Sequence, residues 1–363
     1  MVSMVLDENF GTSNSLLKSV ERAREYMIKS LNSDGLWHDF LTLAGESVFW
    51  VSGYVGYSLI MFEKVSERKK LLERVAANIL SQQNSDGGWS YGYGVPSDAD
   101  STSWCLIFLS KFEGLNPEKL QKALDFLLKH QSPFDGGFRT YADPRAIGRY
   151  MRIDENISFE GWASSQMCVT AVAAQVLMET RSSRGVDEAL SCIRKSQNSE
   201  GYWNSYWWTG KLYATAHCIK ALSKRGEQDD INPISKGQKW IAQTQLLDGS
   251  WADSSGQESG WAFSTALALN GLGQTSQVIF DSQAKNGVKW LIEHQLPDGS
   301  WTPNHILRIP YPWTKDPWNQ QSWNVDGKVI NALVKDHQRL FTTATVFTAL
   351  NQYKKRKLEN VKL

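Results

Sequence analysis

Two apolar patterns alternate along the chain. The first is a stripe at helical spacing with charge on the opposite face, as where Leu71, Leu72 and Val75 sit beside Lys69, Lys70, Glu73 and Arg74. A helix with one wet side carries that signature. It predicts outer helices over 15–31, 67–82, 117–131, 185–197, 233–245 and 281–295. The second pattern is nearly uncharged and rich in Ala, Ser and Thr, as in Trp104-Cys105-Leu106-Ile107-Phe108-Leu109. Low charge all round, with small residues that allow close approach, predicts inner helices. These fall over 46–63, 100–112, 161–180, 210–225, 261–272 and 338–352.

A turn recurs between the two kinds of helix at roughly fifty-residue spacing, which marks an array of repeats. It reads Gln83 to Gly87-Gly88-Trp89, Gln131 to Gly136-Gly137-Phe138, and Gln197 to Gly201-Tyr202-Trp203. It returns as Gln245 to Gly249-Ser250-Trp251 and Gln295 to Gly299-Ser300-Trp301, with a first copy, Asp34-Gly35-Leu36-Trp37, that lacks the glutamine. Glycine lets the backbone reverse, glutamine can bond its carbonyls and the aromatic ring packs over it. Six outer and six inner helices in strict alternation predict an all-α fold, an (α/α)6 toroid, as one domain over 1–363.

Composition changes this picture in one respect. Sixteen Trp, twelve Tyr and fourteen Phe are either structural, as repeated packing anchors, or the lining of a pocket. Net charge of +1 excludes an electrostatic nucleic-acid partner. Cys105, Cys168, Cys192 and Cys218 lie in apolar helical patterns with no paired spacing, so reduced buried thiols are expected. The N-terminus lacks a basic region followed by a long apolar core, and no apolar run reaches the ~18 residues of a membrane span. A cytoplasmic protein is the expectation. The basic tail Lys354-Lys355-Arg356-Lys357 reads as a solvated helix end, with weak peripheral contact to an anionic membrane as the alternative.

Two insertions interrupt the period. Residues 139–160 hold Tyr141, Arg145, Arg149 and Arg152; residues 302–330 hold Arg308, Tyr311, Trp313, Trp318 and Trp323. The aromatic content of the second predicts an ordered rim rather than a linker. The arginines are candidates to hold a substrate carboxylate, because their forks suit one.

Candidate chemistry gathers at Asp98-Ala99-Asp100-Ser101-Thr102, which opens an inner helix. Asp and Ser are good N-caps, so a purely structural role stands beside a chemical one. Together with the Gln-x-x-x-Gly-x-Trp turns, this stretch resembles the squalene-hopene and oxidosqualene cyclases, the class II terpene cyclases. Their superfamily also holds protein prenyltransferase β subunits, and the chain is similar to single-domain bacterial cyclases that act on prenylated aromatic acids. The family acid motif, Asp-x-Asp-Asp-Thr, places its first Asp at Asp98, its proton donor at Asp100 and its Thr at Thr102, with Ser101 in place of the third Asp. The family's Asp-x-Thr-Ala-His falls on Cys168-Val169-Thr170-Ala171-Val172, so the histidine that assists the acid and its nearby aspartate are both replaced.

The resemblance implies a proton-initiated cyclisation of a small hydrophobic prenylated substrate, best matched by a prenylated aromatic acid, with no cofactor and no metal. Asp100 would be the general acid, supported by Asp98 and Ser101. Such an acid must rest protonated in a dry cavity, where desolvation opposes ionisation. Hydrogen bonds from Ser101, Asp98 or a helix N–H are expected to stabilise the carboxylate as it forms. Faces of Trp50, Tyr91, Trp104, Tyr141, Trp207, Tyr213, Trp261 and Phe341 are the candidates to stabilise the cation, up to ~2 kcal/mol each when dry.

Other readings stay open. They are cyclisation of a squalene-type, epoxide or diphosphate substrate, and a prenyl-lipid binder that kept the fold without the reaction. A toroid glycosidase would need Asp100 with Glu160 or Glu258 as its second carboxylate. A zinc prenyltransferase subunit would need an Asp-x-Cys and a later His; no Asp-x-Cys is present. Asp229-Asp230 lacks the third carboxylate of a Mg²⁺ cluster.

Overall fold

The computed structural model describes residues 2–154, 156–252, 259–274, 280–325 and 329–360, with side chains described from 14 to 359 within these. The uncharged segments form α2 (Phe49–Ile60), α4 (Ala99–Leu109), α7 (Met167–Glu179), α9 (Leu212–Arg225), α11 (Ala262–Leu272) and α13 (Leu340–Asn360). Each packs on the next and α13 returns to α2, so the inner helices close a ring. The striped segments form α1 (Val2–Lys29), α3 (Ser66–Ser81), α5 (Pro117–Lys129), α8 (Val186–Lys195), α10 (Ile231–Gln243) and α12 (Asp281–Glu293), packed outside it.

The repeat turns are staples, and their chemistry repeats. The indole N–H of Trp89 donates to the carbonyl of Ile79 in the preceding outer helix at 2.7 Å. Trp37, Trp203, Trp251 and Trp301 do the same to carbonyls ten residues back. Each glutamine bonds its own turn and also reaches the next outer helix or the glycine that caps it, as Gln83 does to Gly87 and Lys119. Gln295 closes the ring by donating to the carbonyl of Ser19 on α1 at 2.9 Å. Gly87 has φ +95°, and a Cβ there would stand 2.6 Å from the carbonyl oxygen of Lys122, so a side chain is excluded twice over.

Several boundaries differ from the sequence reading. The third inner helix begins at Met167 rather than 161, because residues 161–166 run as turn and extended chain. The last inner helix continues to Asn360. Along it Lys357 grips both carboxylate oxygens of Asp281 at 2.8 Å, and Lys354 and Arg356 are partly covered. Three of the four tail cations are thus partly covered by protein, and Lys355 is exposed.

Small elements decorate one end of the ring. A hairpin of β1 (Asp39–Thr42) and β2 (Gly45–Ser47) precedes α2. The first insertion contains a short helix, α6 (Arg145–Tyr150). The second forms a three-stranded sheet, ordered β3-β5-β4, from β3 (Leu307–Ile309), β4 (Asn324–Val325) and β5 (Ala332–Val334). The four cysteines are free and buried. No described helix is long and apolar enough to cross a membrane.

Candidate active site

Asp98 is the N-cap of α4, in extended conformation, and its carboxylate accepts the Ser101 backbone N–H at 2.7 Å. The Ser101 hydroxyl donates to its other oxygen at 2.6 Å. Burial pushes Asp98 up to about 6, against the pull of these donors and of backbone N–H groups at Asp100 and Tyr91. Asp100 lies in the first turn of α4 and has no comparable support. No hydrogen bond to its carboxyl forms among the described residues, and one of its oxygens is wholly enclosed. Burial first, and then the charge of Asp98, hold it well above the usual carboxylate range. Both act in favour of its protonated form.

The expected tuning of Asp100 by Ser101 is not what the structure shows: both Ser101 donors serve Asp98. Thr102 also has a structural task. Its hydroxyl accepts the Trp89 N–H at 3.0 Å, as Thr170, Thr215 and Thr265 do for the aromatic residue of their own turns.

Asp98, Asp100 and Ser101 line a cavity of about 780 Å³, mouth included. Trp50, Tyr91, Tyr141 and Trp207 share its wall. The other four aromatic candidates do not reach it. Phe341 is fully buried behind the wall, stacked on Tyr54 at 3.8 Å and packed against Trp50 at 4.9 Å. Tyr213 lies under Trp208, stacked at 4.1 Å. Trp104 follows Asp100 by one helical turn and so sits deeper, edge-on to Tyr54 at 4.6 Å. Trp261 precedes α11 and helps to close its turn, its N–H donating to Trp251 at 3.0 Å.

Several wall residues escaped the sequence reading. Trp208 bridges the wall to the rings behind it, lying 5.8 Å from Trp50 and 5.0 Å from Phe341. Its position in Tyr206-Trp207-Trp208 was the available signal. Trp162 and Thr140 complete one side. The mouth is built by Thr42, Leu43 and Ala44 of the hairpin, Ile147 and Met151 at α6, and Leu307, Ile309 and Ile330 of the second insertion.

The arginine candidates divide. Arg308 is buried, donates to the carbonyls of Tyr206 and Ser205, and lies 4.3 Å from the centre of the Trp318 ring. It braces the loop behind the cavity. Arg145, Arg149 and Arg152 are exposed beside the mouth. Glu160 is at the surface, paired with Lys315 at 2.7 Å, and Glu258 lies outside the described residues. No three His, Cys, Asp or Glu side chains among the described residues converge as metal ligands do.

Comparison with known proteins agrees with this geometry. Residues 163–314 match the model of the squalene-hopene cyclase C-terminal domain, and residues 52–140 match the prenyltransferase alpha-alpha toroid domain. A drimenyl diphosphate synthase from Streptomyces showdoensis is 30% identical over 132 residues, 35% of this chain and 24% of that protein. A squalene–hopene cyclase from Bradyrhizobium diazoefficiens is 25% identical over 183 residues, 46% of this chain and 27% of that protein. The chain thus spans only about a quarter of these curated relatives. It spans 99% of the type II terpene cyclase MstE from Scytonema, solved as a variant with geranylgeranyl dihydroxybenzoate, at 28% identity, TM-score 0.86 and 96% coverage of this chain. With one family model on each part of the ring and a solved relative along nearly its whole length, the chain is similar in sequence and fold to the class II terpene cyclases, with the squalene-hopene cyclases among them.

Proposed function

We propose that this protein cyclises a prenylated aromatic acid, with Asp100 as the proton donor. The observation that carries the reading is a buried, hydrogen-bond-free carboxyl on the wall of an aromatic cavity, where enclosure favours its protonated form. The O–H bond of Asp100 breaks and a C–H bond forms at the terminal alkene. The positive charge then passes along the chain as successive π pairs become ring bonds. Loss of a proton, or closure on the substrate's own hydroxyl, ends the sequence, and either leaves the mass unchanged.

A raised pKa loads Asp100 with its proton but makes that proton harder to release. Two features of the site offset this. The new carboxylate and the carbocation face each other in a poorly solvated space, where their attraction is far stronger than in water. Rings of Trp50, Tyr91, Tyr141 and Trp207 on the wall stabilise the cation by up to ~2 kcal/mol each. The head group is proposed from the ligand bound by MstE; the exposed Arg145, Arg149 and Arg152 beside the mouth suit a carboxylate left at the rim.

The test is product analysis by mass spectrometry. Purified protein is incubated without added metal with geranylgeranylated dihydroxybenzoate, squalene, oxidosqualene and geranylgeranyl diphosphate, beside Asp100→Asn. The expected outcome is an isomer of geranylgeranylated dihydroxybenzoate, absent with the variant. Product from the diphosphate alone would move the assignment toward the curated relatives' chemistry. Tight binding without product would favour a non-catalytic prenyl-lipid binder, a reading to which Val172 at the position of the assisting histidine gives some weight.

A further inference from the structure

We propose that Gln166, acting through Thr140, is the positioning residue that fixes Trp207 on the cavity wall and so sets how far the cation travels before it is quenched. This rests on the cyclase reading above. Trp207 belongs to the loop that leads into α9, and its carbonyl accepts the Arg308 N–H at 2.7 Å, a bond that fixes the backbone but not the ring. Its ring is held instead by its nitrogen. The indole N–H lies 2.7 Å from the Thr140 hydroxyl and 2.8 Å from the Gln166 side-chain oxygen. Thr140 in turn donates its hydroxyl proton to that same oxygen at 2.5 Å. Gln166 spends its amide on the carbonyl of Gly161 at 3.2 Å, which sets which end of the amide faces Trp207.

The clasp joins the acid to the ring. The carbonyl of Thr140 accepts the Ala99 N–H at 3.0 Å, in the first turn of the helix that bears Asp100. One residue thus bonds both the segment that delivers the proton and the ring that meets the charge. Gln166 is buried and does not line the cavity, whereas Thr140 and Trp207 do. Cation–ring attraction depends on the ring face being presented within about 6 Å. A ring released from its clasp presents that face for only part of the time. The Thr140 proton is also already committed, so this stretch of wall offers water little to bind. Freed polar atoms would admit it, and water at a carbocation ends the cascade early.

The test compares near-isosteric variants that lose the clasp, Thr140→Val and Gln166→Met, with Thr140→Ser and Gln166→Glu, which keep a hydroxyl or an acceptor oxygen. With the substrate found in the panel, the first pair should raise the share of partly cyclised or water-captured products about fivefold, the factor one hydrogen bond carries. The second pair should keep the wild-type product ratio whatever their rates. A general loss of stability would slow all products alike and leave the ratio unmoved. Wild-type ratios from Thr140→Val and Gln166→Met, or the same shift in all four variants, would overturn the proposal. An activity-independent arm follows the Trp207 indole N–H by NMR, assigned by its loss in Trp207→Phe. It should be protected from exchange in the wild type and unprotected in Gln166→Met. An unprotected wild-type indole overturns the clasp even where product forms. Absence of any product overturns the cyclase reading, while the indole still judges the clasp.

Discussion

Ser101 gives both its backbone N–H and its hydroxyl to the two oxygens of Asp98, at 2.7 and 2.6 Å, and gives nothing to Asp100. The pair of acids is thereby divided: one is a hydrogen-bonded helix cap, the other a buried carboxyl without a hydrogen bond among the described residues. Ser101→Ala removes the hydroxyl bond and keeps the N–H bond. It should cost about 1 kcal/mol of stability and leave turnover within roughly tenfold of wild type. Asp100→Asn should abolish turnover while the fold stands. Denaturant melts and single-turnover product yields check both. Loss of turnover in Ser101→Ala as complete as in Asp100→Asn would show that the hydroxyl does tune the acid.

The division has a pH signature. Asp98 is pushed up to about 6 in the fold, above the ~3.9 of an unfolded aspartate. Its folded form therefore binds the proton more tightly. Its contribution to stability is fully present below about pH 4 and is lost as pH rises through about 6. The tighter hold on that proton is equivalent to about 3 kcal/mol. Asp98→Asn keeps a good cap and does not titrate. Its stability relative to wild type should rise between pH 4 and pH 6 and then level off. Thermal melts of both proteins at pH 4, 6 and 8 measure this. A difference that stays constant with pH would mean that Asp98 is not so enclosed.

The aromatic candidates should separate by depth. Trp50, Tyr91, Tyr141 and Trp207 face the cavity, so Tyr91→Leu or Trp50→Leu should change the product pattern more than the melting point. Phe341 is packed behind them, so Phe341→Leu should cost about 1–3 kcal/mol through lost packing. Its products should keep the wild-type ratio. Product ratios and melts on the same three proteins test this. A changed ratio from Phe341→Leu would place that ring in contact with substrate.

That separation also marks where sequence reading stopped. The ring of helices was legible because period and charge identify each segment from its own residues, and the Asp98-to-Thr102 stretch was legible because a cap and an acid need local neighbours. Depth was not. Asp100 and Trp104 share a face of α4, yet one turn of helix decides that the first meets the cavity and the second lies beneath it. The mouth was not legible either, since Leu43, Ile147 and Ile330 come together from three segments separated by more than a hundred residues. Arg308 looked like an anion ligand because nothing local reveals that the carbonyls of Ser205 and Tyr206 already hold its guanidinium.

Ring closure is the last place where one bond does a measurable task. The first turn, Asp34 to Trp37, has no glutamine, and its bond to the next outer helix runs from Asn78 of α3 to the Asp34 carbonyl at 3.2 Å. The last turn has the full set: Gln295 bonds Gly299 and reaches Ser19 on α1, both at 2.9 Å. α1 is thus held to the last repeat turn by Gln295 and by Arg22, which donates to the carbonyls of Leu296 and Pro297 at 2.6 and 3.0 Å. Gln295→Ala should cost about 1–3 kcal/mol, two hydrogen bonds' worth. Because Gln295 and Arg22 act on the Ser19–Arg22 stretch of α1, the loss should appear first as earlier opening of that helix, with the bond from the Tyr26 hydroxyl to the Gln338 carbonyl at 2.7 Å still in place. Hydrogen exchange would then rise in 14–29 before any other helix, with the product pattern unchanged. Uniform loss of protection around the ring would mean instead that the twelve helices unfold as one unit and that closure is carried by the inner helices.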